Sequence, residues 1–142
     1  MLRSRHLESG LLLPLALSAS SFGMAQELKP CPDKPNCVSS LSTDAQHATP
    51  PLVYSDTQQQ ARARLMAVMQ SMPRTKLLLE QGDYLHFSAT SLVFRFVDDV
   101  EFVFDDTNKR IHVRSASRVG HSDLGVNRKR VNTIREAFAA RL

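Results

Sequence analysis

Between Tyr84 and Arg118 the chain alternates apolar and polar residues with a period of two, through several short runs. In "YLHFSAT" Leu85, Phe87 and Ala89 fall on one side, and His86, Ser88 and Thr90 on the other. "VFRFV" sets Phe94 and Phe96 against Arg95, and "VEFVFD" sets Val100, Phe102 and Phe104 against Glu101. "RIHVRSASR" sets Ile111 and Val113 against His112, Arg114 and Arg118. Successive side chains of an extended strand point to opposite faces, so the pattern predicts half-buried antiparallel strands with one dry and one wet face. "TKLLLEQ", closed by the turn signal Gly82–Asp83, predicts a further strand, and "DDTNK" at 105–109 a hairpin loop.

Helical spacing appears on either side of these runs. From about Thr57 to Ser71, Ala61, Leu65, Val68 and Met72 form a stripe with Met69 beside it, while Arg62 and Arg64 face away. Ser55 or Asp56 is the expected N-cap, Ser55 and Gln58 fit a capping box, and Pro73 ends the helix. A second helix is expected from about Arg128 to Ala140, with Val131, Ile134 and Phe138 as its stripe and Asn127 as its N-cap. Strands flanked by helices predict an α+β domain over 56–142: a largely antiparallel sheet of four to five strands with two helices packed on one face. The expected sheet core is Leu85, Phe87, Phe94, Phe96, Val100, Phe102, Phe104, Ile111 and Val113. Burying each such side chain contributes roughly 1.5–3 kcal/mol. The wet face, with His86, Ser88, Thr90, Arg95, Glu101, His112 and Arg114, reads either as a solvated surface laced with cross-strand ion pairs or as a docking surface.

Residues 1–25 read as a secretory signal peptide. Arg3, Arg5 and His6 precede the short apolar stretch "LLLPLALSAS", and Gly23 and Ala25 are spaced for cleavage after Ala25. An uncleaved anchor is the alternative, although the apolar stretch is short for a membrane span. Without the leader, 16 basic and 13 acidic residues remain of the 18 and 14 in the whole chain, a net charge of +3. That mild bias, with no Trp, does not describe a nucleic-acid surface. The expected location is periplasmic or secreted.

Residues 26–55 carry no clear period and are punctuated by Pro30, Pro32, Pro35, Pro50 and Pro51, which predicts an irregular N-terminal segment. It holds the only cysteines, Cys31 and Cys37. In an exported chain such a pair is most simply a disulfide; a redox pair or a zinc site completed by His47 fits the spacing less well.

The stretch "SASRVGHSDLGVNRKR" at 115–130 poses a problem, because it places cations at the positive end of a helix. Gly120 and Gly125 in a loop feeding a helix N-terminus suggest an anion site, with Arg114, Ser117, Arg118, Asn127, Arg128 and Arg130 as candidates. The rival is internal: the acidic residues Asp98, Asp99 and Asp123 could satisfy the same arginines. A third reading is a metal-assisted hydrolase built on Asp98, Asp99, His121 and Asp123, although the arginines would repel a cation. No nucleophile elbow, phosphate-binding loop or dinucleotide fingerprint occurs, so no cofactor is expected.

Three stretches, "CPDKPNCVSS" (31–40), "RFVDDVEF" (95–102) and "VRSASRVGHSDLGVNRKRVNTIR" (113–135), together resemble the bacterial and plastid family called domain of unknown function 1499. The resemblance covers about residues 30–138. It emphasises Cys31, Asn36, Cys37, Ser39, Ser40, Phe96, Asp98, Asp99 and Arg114, then Ser115, Ser117, Arg118, Gly120, Asp123, Gly125, Asn127, Arg128 and Arg130. The family has no established activity, so the resemblance implies no reaction. The expectation from the residues is a non-enzymatic module that binds an anionic small molecule, envelope component or protein partner. The alternatives are the hydrolase and an interaction protein whose charged cluster is purely structural.

Overall fold

The computed structural model describes residues 26–141; the leader expected at 1–25 lies outside the described residues. In chain order the elements are β1 (Cys37–Ser39), β2 (Leu52–Val53), α1 (Gln58–Ser71), β3 (Thr75–Gln81), β4 (Tyr84–Thr90), β5 (Val97–Asp105), β6 (Arg110–Ser117) and α2 (Val126–Ala139). The strands form one six-stranded antiparallel sheet in the order β1-β6-β5-β4-β3, with β2 also pairing on β6. β1 and β2 share the outer edge of β6, one opposite each half of it.

The register carries the alternation across the sheet. Leu85 faces Phe102, which faces Val113; Phe87 faces Val100, which faces Ser115. The apolar row packs against Ala61, Leu65, Val68 and Met69 of α1 and Val131, Ile134 and Phe138 of α2 in one core. Phe87 and Phe102 meet edge to face, ring centroids 6.0 Å apart. The fold is therefore α+β, with the helices on one face of the sheet.

Several details differ from the reading of the sequence. The Pro-rich segment is not wholly irregular: it supplies β1 and β2, and Val38, Leu52 and Tyr54 enter the core. Cys31 and Cys37 form a disulfide. "VFRFV" is not a strand. β5 begins at Val97, and Phe94 and Phe96 are 75% and 54% exposed rather than core residues. The α1 cap is Thr57, whose Oγ1 accepts from Gln60 N at 3.1 Å while Gln60 Oε1 accepts from Thr57 N at 3.2 Å. Asp56 instead takes Arg64 as an ion pair. Arg62 and Arg64 do not simply face away: their guanidinium groups lie over the rings of Phe104 and Phe138, 4.8 and 4.7 Å from the centroids.

Asn127 is not the cap of α2. It sits inside the first turn and is fully buried, and the cap position is Gly125 at φ 79°, a left-handed conformation glycine adopts without a steric penalty. Asp123 does the capping from upstream: its carboxylate accepts from Gly125 N and Asn127 N, both at 2.9 Å. A negative charge at this end also complements the helix dipole.

Candidate functional site

Asp98 follows the apolar alternation of β5 and so points to the helix side, where it is 6% exposed. Arg130, one turn into α2, donates to it from Nη2 at 2.7 Å. Nη1 of the same guanidinium donates to Asn127 Oδ1 at 2.7 Å and to Ser115 Oγ at 3.2 Å. Asn127 in turn donates from Nδ2 to Asn36 O, Ser117 Oγ and Asp123 Oδ2, at 3.2, 3.0 and 2.8 Å. Ser115 Oγ donates to Asn127 Oδ1 at 2.6 Å. Arg128 donates to the carbonyls of Ala48 and Gln46 at 2.8 and 2.9 Å. The cations at the start of α2 thus serve a buried carboxylate and the carbonyls of the N-terminal segment.

Asp99, one residue on, points to the open face. It accepts from Arg118 through two parallel bonds, Nε at 3.0 Å and Nη2 at 2.9 Å, and lies 2.7 Å from His86 Nε2. Burial pushes the Asp99 carboxyl up, but the bonds to Arg118 and His86 outweigh it and hold the group below its ordinary value. Beside it Glu101 accepts from Tyr84 OH at 2.5 Å and from Arg114 at 3.2 Å. Burial, followed by the Glu101 carboxylate, raises the Tyr84 hydroxyl. The open face is laced with cross-strand pairs of opposite charge.

The candidate anion ligands are therefore divided. Arg114 and Arg118 project on the open face; Ser117, Asn127, Arg128 and Arg130 belong to the helix side, and each guanidinium donates to the chain itself. The hydrolase set is divided in the same way. Asp98 and Asp99 occupy opposite faces, and His121 is exposed. No group of three or more His, Cys, Asp or Glu among the described residues is placed to hold a metal ion.

The region that the sequence reading missed is the end of the sheet where β4 turns into β5 and β6 leaves for α2. Ser91–Phe96 forms a hairpin tip closed by Ser91 N donating to Phe96 O at 2.9 Å and Phe96 N to Ser91 Oγ at 2.8 Å. Arg95 takes φ 57°, the left-handed conformation that such a turn commonly gives to Gly or Asn. Phe94 and Phe96 stack with centroids 5.7 Å apart, and Leu92 and Val93 are exposed with them. Across a cleft of about 200 Å³, lined by Phe96, Val119 and Val126 together with Asp98, Ser117 and Asp123, runs the 118–125 loop. Its Leu124 is 93% exposed. A neighbouring cleft is lined by Leu92 and Val126 and by Arg74 and Lys129. Among the described residues no carboxylate pairs with Arg74, Arg95 or Lys129.

The observed register defines this tip. Leu85 pairs with Phe102 and Thr90 with Val97, so residues 91–96 must form the connection. That connection holds no Gly, Pro, Asn or Asp to announce a turn.

These features define a small disulfide-bonded α+β domain with an internally paired charge network and an apolar tip. The chain matches, over residues 27–138, the family described as "Protein of unknown function (DUF1499)", and it belongs to that family. No curated protein and no solved structure matches it.

Proposed function

We propose that this protein is an exported, non-enzymatic binding module that contacts a component of the cell envelope through the tip formed by residues 91–96 and 118–126. The observation that carries this reading is the concentration of exposed large apolar side chains there: Leu92, Val93, Phe94, Phe96, Val119 and Leu124. Clustered exposed apolar side chains with polar residues around them are a mark of protein or membrane interaction sites. Export is supported by the leader-like N-terminus and is compatible with the disulfide. No described helix is long and apolar enough to cross a membrane. The charged residues support a binding role over a reaction, because the carboxylates and arginines of the network are engaged with one another.

Sedimentation with isolated envelopes tests the reading. The full chain should pellet with them, and Leu92→Asp/Phe94→Asp should remain in the supernatant while keeping its fold by circular dichroism. Equal pelleting of both forms would overturn the role given to the tip.

A further inference from the structure

We infer that the envelope component is the membrane surface itself: the tip inserts its apolar side chains among the headgroups of an anionic lipid layer. This rests on the binding-module reading above and names its ligand.

The apolar residues lie on two adjoining loops at one end of the sheet, bordering one cleft, so a single surface can meet them together. Exposed Phe and Leu side chains such as the stacked Phe94 and Phe96 and neighbouring Leu92 are the kind that a surface-bound protein buries at the boundary between headgroups and acyl chains.

Charge complementarity selects the lipid. Arg95 stands between the two phenylalanines, and Arg74 and Lys129 line the adjoining cleft, all without a carboxylate partner among the described residues. Of the acidic groups at this end, Asp98 is paired with Arg130, and Asp99 with Arg118 and His86. Asp123, bonded to the first turn of α2, alone sets one negative charge against these three cations. The outward charge of the tip is therefore positive. Shallow apolar insertion and cations beside it are the two signals that together hold a protein on an anionic membrane.

The chain has no Trp, so Phe94→Trp gives a single reporter at the tip, and Val53→Trp, at an exposed position on β2, gives a control. The probes are vesicles of phosphatidylglycerol and phosphatidylcholine in equal parts, vesicles of phosphatidylcholine alone, and isolated envelopes with and without protease treatment. Brominated acyl chains quench a tryptophan that enters the layer. The full chain carrying Phe94→Trp should shift to the blue and be quenched by the anionic vesicles, with binding weakened by salt. Val53→Trp should not respond. Adding Arg95→Glu should weaken vesicle binding at least about tenfold. A response to untreated envelopes, but to neither vesicle nor protease-treated envelopes, would overturn the lipid assignment and leave a protein partner at the tip. No response to any envelope preparation would overturn the binding-module reading as well.

Discussion

Asp98 and Asp99 are adjacent in the chain and belong to opposite faces of the sheet. Asp98 bonds Arg130 at 2.7 Å beneath α2, and Asp99 bonds Arg118 at 2.9 Å on the open side. A dipeptide that suggests a paired-carboxylate site is thereby divided by the pleat of a single strand. Each carboxylate then serves its own face.

The helix-side pair should matter most to stability. Asp98 and Arg130 are both largely buried, at 8% and 12% side-chain exposure. Removing one partner from a buried pair leaves an uncompensated charge, at a cost of about 3–5 kcal/mol. Asp98→Asn and Arg130→Met should each lower unfolding free energy by roughly that order. The double variant should lose much less than the sum, because each change removes the same interaction. Urea denaturation of the four forms measures it, and additive losses would mean that the two residues act independently.

Asn127 should be nearly as sensitive. Its amide joins Asn36 of the N-terminal segment, Ser115 and Ser117 of β6, and Asp123 and Arg130 around α2. Asn127→Leu keeps the branched outline, enlarges it and removes the bonds, leaving buried partners unmet at about 1–3 kcal/mol each. Denaturant unfolding should show a loss of at least about 2 kcal/mol. Hydrogen exchange should quicken at Gly125 and in the first turn of α2.

Much of this was legible before the structure. Period two located the strands and sorted Val100, Phe102 and Phe104 from Glu101, because a sheet with one covered face imposes that pattern. The same count extended back by one step puts Asp98 with Val100, so the division of the two aspartates was available in principle. Phe94 and Phe96 kept the period but lie where the hairpin ends, and periodicity alone does not say where strand pairing stops. Arg128 was not legible at all. Its partners are the backbone carbonyls of Gln46 and Ala48, which any residue presents. The cap of α2 was misplaced because Asp123 reaches it across Leu124 and Gly125 rather than from the position just before the helix.

His47 should give the fold a pH dependence near neutrality. Its Nδ1 lies 2.6 Å from Asp44 Oδ2 and its Nε2 2.9 Å from Lys34 O, so both ring nitrogens face acceptors and both must donate. The Lys34 carbonyl first, and the Asp44 carboxylate against the opposing effect of burial, raise the His47 imidazolium above its ordinary value of 6.5. A raised folded value stabilises fully below the unfolded value of about 6.5 and is lost as pH rises through the folded value. Unfolding free energy should fall across that interval, and His47→Gln should flatten the fall. An unchanged slope in His47→Gln would assign the dependence to another group.

Reducing the disulfide should weaken the domain without dissolving it. Cys31 and Cys37 close a short loop, six residues apart in sequence, and such a link contributes only about 2 kcal/mol. The β1 pairing to β6 and the His47 bond to Lys34 hold the same segment independently. Cys31→Ala/Cys37→Ala should therefore unfold cooperatively at a lower urea midpoint. Failure to fold would show that the loop is a prerequisite for the sheet.

The most direct measurement of the central claim pairs stability with binding in one variant, Phe94→Ser. Phe94 is exposed and packs on no core residue, so the unfolding free energy from urea denaturation should stay within about 0.5 kcal/mol of the parent. Phe102→Ala should lose about 3–5 kcal/mol as the internal standard. Envelope binding by Phe94→Ser should fall about tenfold, in keeping with the lost apolar surface. Unchanged binding by a stably folded Phe94→Ser would contradict the assignment of the tip as the contact surface.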